Sequence, residues 1–472
     1  MRNGFLILSV ALLAWGASLA GPFHFDDYNL FVDPLITSAR GWLLVWQPIQ
    51  TRPLSQFTFW LSFMLAGPTP WAFHLWNVAL HAIASVLMWT TLRMAIPERA
   101  AMIAALAFAA HPMQAEVANY VFARSSALST VLCLVVLWLW LRDRLWAAVG
   151  VFALALLAKE ECVTFPLVLA LLDWWRGKRR WGAVTAMLAL SLALGMRVLI
   201  ATKFVPQGGG GFASVMTPFD YFTAQGIVIL RYLRLFVLPW GFTVDPEIHV
   251  IFPWLAWFAV VLIALAATRI FKGPGVWILA GLLLLLPSSS IFPADDLAAD
   301  RRMYLPMIAF CAALGIVVER WKRPARVALG VVFLGLAVHR TSVWNSEQRL
   351  WEEAVERAPD KLRPRIQLAR SLEPTAGILI LDQATERFPG EFDIETERGR
   401  LYMSMTRTSE ALDAFGKALA LKPGSAMAMT NRGVALAAMG QRDAARADFE
   451  RALKADPNFR EAAGNLRKLT GN

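Results

Sequence analysis

The sequence predicts an all-α protein, a polytopic helical membrane domain of about eleven spans followed by a short helical solenoid. Three observations carry that expectation. Apolar segments recur from the N-terminus to about Arg340, many near the length needed to cross about 30 Å of hydrocarbon. Of the residues, 57% are hydrophobic and 20 are Trp, and the mean hydropathy is +0.48, a load that soluble domains do not carry. Beyond about Arg340 the composition turns to that of soluble helices and repeats itself. The expected domains are 1–340 in the membrane and 341–472 as the solenoid.

The apolar segments are, in order, Gly4–Ala20, Ala72–Arg93, Ala100–Ala110, Ser125–Leu141, Leu145–Ala158, Cys162–Trp174, Gly182–Ala201, Trp254–Ile270, Val276–Pro287, Tyr304–Val318 and Ala325–Val338. The first also fits a cleavable leader ending at Ser18-Leu19-Ala20, but an uncleaved first span is expected because so many more follow. Basic clusters fall in alternate loops: Arg93 with Arg99, Arg142 with Arg144, Arg176 to Arg180, Arg269 with Lys272, and Arg320 to Arg326. Those loops are expected to be cytoplasmic. The others face outward and hold Asp26 and Asp27, His111 to Arg124, Lys159 to Glu161, and Asp295 to Arg302.

One apolar segment, Tyr221–Trp240, carries Arg231 and Arg234 near its middle. A mid-bilayer charge costs roughly 2.5–3.5 kcal/mol on insertion scales, so the segment is read as a non-spanning surface helix. The Gly208–Gly211 run before it reads as a flexible outer loop.

In the solenoid, Gly399, Ala411, Phe415, Ala418 and Pro423 recur 34 residues later as Gly433, Ala445, Phe449, Ala452 and Pro457. That period, with small residues where paired helices touch, is the tetratricopeptide pattern. Trp351, Ala354 and Pro359 resemble the end of another repeat, and the stretch 360–391 between them is degenerate, so a short array is expected. Such arrays hold a protein partner in a concave groove.

The formal net charge of +11 is spread in short clusters between apolar segments, which argues against a nucleic-acid partner. Cys133, Cys162 and Cys311 fall in or beside apolar segments and offer neither a disulfide framework nor metal-ligand spacing. No nucleotide-binding loop is present.

The stretch Phe23–Asp33 places adjacent carboxylates, Asp26 and Asp27, where the first segment leaves the bilayer. A carboxylate there can take a proton from an acceptor hydroxyl; it can equally end one helix and cap the next. Outward-facing cations oppose the positive-inside trend, so Arg52, Arg124, Lys159 and Arg301 are candidates for holding a phosphate, with a head-group contact or a neighbouring acid as the alternative. His74, Asn77 and His81 share one helix face, a polar stripe suited to inter-helix bonding as well as to chemistry. His111 with Glu116 is a weak metal-ligand pair.

FHFDDYNLFVDP, RPLSQFTFWL, FHLWNVALH, HPMQAEVANYVFARSSALS, LLAKEECVTFPL and DRRMYLP stand in one order ahead of the repeats. Together they resemble the transmembrane and tetratricopeptide-repeat O-mannosyltransferases, bacterial type, of the GT-C class. The resemblance implies a glycosyltransferase moving a sugar, mannose by analogy, from a polyprenyl-phosphate donor to an acceptor hydroxyl such as protein Ser/Thr. It makes Asp26 and Asp27 the catalytic pair, with Asp26 as the base. It also lines the donor site with Arg52, Glu116, Arg124, Lys159, Glu160, Arg301 and Tyr304. Asp300 and Arg302 depart from the family pattern, where Glu and an apolar residue are usual. No cofactor is named, and a divalent metal is left open. The expected partners are the polyprenyl-phosphate sugar, an acceptor protein or glycan, a repeat-bound protein and membrane lipid. The expected location is a bacterial inner membrane, with active site and repeats facing the periplasm. The rival functions are a non-catalytic membrane-anchored repeat scaffold and a lipid-linked glycan ligase or polymerase.

Overall fold

A computed structural model describes residues 2–204, 216–289, 293–294 and 296–471. The Gly208–Gly211 run and Asp295 lie outside the described residues. Among the described residues all regular secondary structure is helical, and the chain divides into two compact units, Met1–Ser346 and Glu347–Asn472.

In the first unit all eleven apolar segments fold as helices. Five helices are long and apolar enough to cross a membrane, Arg2–Ala20, Pro70–Leu92, Val121–Leu141, Trp181–Val198 and Arg323–Trp344, or seven if each bent pair is one span. These are the helices of an integral membrane protein. The remaining apolar helices, such as Leu145–Ala158 and Met307–Val318, fall short of the roughly 18 residues a full span needs.

Proline accounts for both bends. Glu98–Ala110 breaks by 49° into Pro112–Asn119, because Pro112 pushes His111 into an extended conformation at ψ 127°. Pro253–Arg269 turns by 109° into Phe271–Leu285 around Gly273 and Pro274, at the basic loop where the sequence separates two segments. Pro53–Ala66 is a further 14-residue helix that the hydropathy reading passed over.

Small residues let the membrane helices approach closely. The Ala-rich helix Glu98–Ala110 packs on Met307–Val318, where a Cβ on Gly315 would lie 2.3 Å from the Ala100 carbonyl oxygen. Polar ties close the bundle: the Trp15 indole donates to the Ala109 carbonyl (2.7 Å), and the Thr341 hydroxyl donates to the Ala14 carbonyl (3.2 Å). Pro218–Val237 is not among the spanning helices, and its awkward Arg231 donates to Asp300 at 2.7 Å. The ion pair offsets part of the cost of burying that charge.

The second unit stacks antiparallel helices. Phe392–Ser404 with Thr408–Leu421, and Ala426–Ala438 with Arg442–Ala455, repeat the 34-residue pattern, and Arg460–Thr470 follows. Gly399 and Gly433 face the rings of Phe415 and Phe449 on the paired helices, so a Cβ at Gly433 would lie 2.6 Å from Phe449. The degenerate stretch also folds as a helix pair, Leu362–Ser371 and Pro374–Arg387. The array is therefore longer than its sequence signature, because a helix pair can bury apolar faces without the consensus residues. Gly433→Val is expected to destabilise this unit by about 1–3 kcal/mol through overpacking. Limited proteolysis of the full chain reads that as faster cleavage within 392–455; an unchanged rate would mean that Phe449 moves aside freely.

Candidate active site

The loop after the first span is a 3-10 turn, Phe25–Phe31, with the two aspartates in its first turn. They take opposite roles. Asp27 is fully buried, and its carboxylate accepts from the backbone N–H of His24 (3.0 Å) and of Phe122 (2.7 Å). It pins the loop to the start of the Arg124–Leu141 helix. Burial pushes its carboxyl up to about 7, against the backbone donors and the nearby charge of Arg124. Asp26 is exposed, and it accepts from the Tyr120 hydroxyl (3.0 Å) and the Asn29 amide (3.3 Å).

Between the loop's anchor and its exposed acid, Phe25 has φ 47°. A bulky residue in the left-handed region stores about 1–3 kcal/mol. Its ring is held against Tyr120 (5.5 Å) and Trp344 (6.2 Å). The His24 Nε2–H donates to the Trp344 carbonyl at 2.7 Å, and burial lowers that imidazole to about 4, so it is neutral at neutral pH.

Asp27 and His24 impose opposite pH dependences on this loop. A carboxyl raised from 3.8 to about 7 adds stability that is full below pH 4 and lost as pH rises through 7. A histidine lowered from 6.5 to about 4 adds stability that is present above pH 6.5 and lost as pH falls through 4. Asp27→Asn removes only the first of these. The stability difference between wild type and Asp27→Asn should therefore shift in favour of the variant from pH 5 to pH 8, as read by thermal unfolding in detergent. A difference independent of pH would mean that the Asp27 carboxyl titrates as it does in water.

Tyr120 connects Asp26 to the next acid. It ends the short helix Ala115–Asn119, which carries Glu116 one turn earlier. Burial, then the charges of Asp26 and Asp27, raise the Tyr120 phenol well above its ordinary range, so it stays a donor. Glu116 accepts from the Arg301 backbone N–H at 2.7 Å and forms an ion pair with the Arg301 guanidinium, which also lies 3.5 Å from Asp296. Burial opposes the charge of Arg301, but the Glu116 carboxylate outweighs it and keeps the guanidinium ionised.

A second charged group lies near enough for Arg52 and Arg301 to repel one another. Arg52 pairs with Glu160, donating from Nε at 2.9 Å. Burial would raise the Glu160 carboxyl, yet Arg52 overrides it and holds it at about 2. Lys159 is buried and bonds the Ser126 hydroxyl (2.7 Å) and Glu161 (2.6 Å). Arg302 bonds the Tyr221 hydroxyl (3.1 Å) and the carbonyls of Leu297 (2.9 Å) and Asp296 (2.6 Å), which ties down the loop holding Arg301.

Arg52, Glu116, Glu160 and Arg301 are thus brought together, with Arg52 and Arg301 about one-third exposed. Arg124 and Tyr304 are not. Arg124, expected at the donor, is fully enclosed and donates to the carbonyls of Thr58 and Phe73 (both 3.0 Å), the Ser62 hydroxyl (2.9 Å) and Asn77 (3.3 Å). Its face also stacks on the Phe59 ring at 4.4 Å. The buried Tyr304 hydroxyl lies 2.8 Å from His81 Nδ1. Because His81 Nε2 must donate to the Ala109 carbonyl (3.1 Å), Nδ1 accepts from Tyr304.

The polar stripe is likewise an inter-helix tie. Asn77 donates to the carbonyls of Val117 (2.9 Å) and Tyr120 (2.8 Å), His74 donates to the Pro22 carbonyl (3.1 Å), and His111 accepts from Met113 N–H while donating to the Phe236 carbonyl. Among the described residues, no three His, Cys, Asp or Glu side chains gather closely enough to hold a metal ion.

Beside Glu116 a small cleft is bordered by Met113, Thr243, Asp300, Arg340 and Trp344. The sequence reading missed Tyr120 and Trp344. Tyr120 was within reach, four residues after Glu116 in a segment already singled out. Trp344 carried no signal, since it meets His24 across 320 residues.

The family model "Tetratricopeptide repeat" matches residues 426–459. The mouse Protein O-mannosyl-transferase TMTC3 is 26% identical over 89% of this chain and 54% of its own length. The Caenorhabditis elegans Protein O-mannosyl-transferase F38B6.6 is 22% identical over 79% of this chain and 60% of its own. The curated relatives of this chain are protein O-mannosyl-transferases. The chain spans little more than half the length of these O-mannosyl-transferases. Among solved structures, ArnT from Cupriavidus metallidurans bound to undecaprenyl phosphate aligns with a TM-score of 0.45 and 14% identity, over 94% of this chain and 79% of that one.

Proposed function

We propose that this protein is a glycosyltransferase that moves a sugar, mannose by analogy with its relatives, from a polyprenyl-phosphate donor to an acceptor hydroxyl. The observation that carries the reading is the division of labour between the paired acids. Asp27 is spent on anchoring the loop, and Asp26 is left exposed on a strained turn with one phenol donor behind it. A side chain held that way can accept a proton and needs no rearrangement to do so.

The step is a single inverting displacement. The acceptor oxygen attacks the anomeric carbon as the bond from that carbon to the phosphate oxygen breaks. The hydroxyl proton passes to Asp26, and the bonding pair leaves on the phosphate. Arg301 and Arg52 are each about one-third exposed, and both are shared with carboxylates. A phosphate that displaces part of either pairing gains a charge-assisted bond as its own charge grows. The site is assigned to the outer face of a bacterial inner membrane. The repeats are read as a holder for an acceptor protein or partner on that same face.

The experiment is transfer of radiolabelled sugar from polyprenyl-phosphate mannose in membranes that contain the full chain, against membranes that lack it. Label appearing in protein or glycan only with the chain supports the reading. Equal label in both, with the protein inserted, would favour the non-catalytic scaffold.

A further inference from the structure

Two walls of the cleft beside Glu116 play no part in the step above. One is the segment at Thr243; the other is the end of the helix Arg323–Trp344. Each presents a buried polar atom with no partner: the hydroxyl of Thr243, 7% exposed, and the indole N–H of Trp344, 2% exposed. A buried donor left without a bond is costly and calls for an explanation.

Packing does not supply one. The Trp344 ring is fixed by an edge contact with His24 (5.3 Å) and a stacked contact with Tyr120 (6.4 Å), and its carbonyl accepts from His24. These contacts lock the indole and leave its N–H over. Across the cleft, the carboxylates of Glu116 and Asp300 are each engaged by an arginine, Arg301 and Arg231.

This combination selects a chemistry. An indole N–H only donates, a Thr hydroxyl donates and accepts, and a carboxylate only accepts. The Arg340 guanidinium, which only donates, borders the cleft as well, and the two carboxylates keep one arginine each. A neutral ligand edge carrying hydroxyls meets every group favourably, because each hydroxyl both donates and accepts. Trp344 also stacks on Tyr120, whose phenol bonds Asp26, so the cleft adjoins the base. We infer that Thr243 and Trp344 read hydroxyls on one edge of the donor's sugar ring, and so set which sugar is transferred. The inference rests on the transferase reading and names the part of that site which selects the sugar.

The test compares polyprenyl-phosphate mannose with its 2-, 3-, 4- and 6-deoxy forms, using wild type, Thr243→Val, Thr243→Ser and Trp344→Phe in the full chain. Wild type is expected to lose about tenfold or more in kcat/KM on at least one deoxy donor. Thr243→Val or Trp344→Phe should lose about as much on mannose itself and nothing further on that same deoxy donor. Thr243→Ser, which keeps the hydroxyl, should retain the wild-type profile. Variants that match wild type on every donor, or fall equally on all of them, overturn the subsite while leaving the transferase reading intact. A wild-type chain that transfers from none of the donors overturns the transferase reading, and the subsite with it.

Discussion

Asp26→Asn is expected to lower sugar transfer by about 10²–10⁴, the usual worth of a positioned base, while the protein accumulates and unfolds as wild type does. The structural grounds for a clean loss are good. Asp26 is exposed and accepts from Tyr120 and Asn29, and the Asn carbonyl can keep one of those bonds, so little of the fold depends on its charge. The neighbouring substitution serves as the contrast. Asp27→Asn acts on a buried anchor and should show first as altered loop stability. Transfer assays on both variants in the same membranes decide between them. If Asp26→Asn transfers at the wild-type rate, Asp26 is not the base.

Arg124→Met should destabilise the membrane unit by about 3 kcal/mol or more, because it strips the donors from several buried acceptors and each one left unsatisfied costs about 1–3 kcal/mol. A single side chain here satisfies acceptors on two other helices. Thr58 and Ser62 lie on the helix Pro53–Ala66, and Phe73 and Asn77 lie on Pro70–Leu92. The guanidinium comes from the helix Arg124–Leu141. Met fills much of the same volume but leaves those acceptors bare in apolar surroundings, and each such loss is costly. Arg124→Lys should also fail, because one ammonium has neither the donors nor the fork geometry to span both helices. Denaturation of the purified chain in mixed micelles measures the loss. An Arg124→Lys protein as stable as wild type but with raised KM for the donor would instead return Arg124 to a phosphate-binding role.

These two residues show what periodicity and composition can reach. Asp26 and Arg124 are both conspicuous in the sequence, as charges beside apolar segments. Their fates differ for a reason that no local pattern holds, since Arg124 meets its acceptors 47 to 66 residues away. Likewise Arg52 finds Glu160 across 108 residues, and Arg301 finds Glu116 across 185.

The repeat unit divides the same way. The 34-residue period was visible because the glycines at 399 and 433 must face the rings of Phe415 and Phe449. The pair at 362–387 was not, because Gly377 meets the Ala369 carbonyl and Leu401 instead of a ring at the consensus spacing.

The sequence by itself determined the class of the protein, its apolar helices, its repeats and the loop that holds the acid pair. Those features follow from hydropathy, spacing and turn chemistry, which act over a few residues. Tertiary structure alone decided which aspartate is exposed, which cations are spent on the fold and which indole borders the cleft. Burial and partner choice set those outcomes, and both depend on residues that meet only when the helices pack.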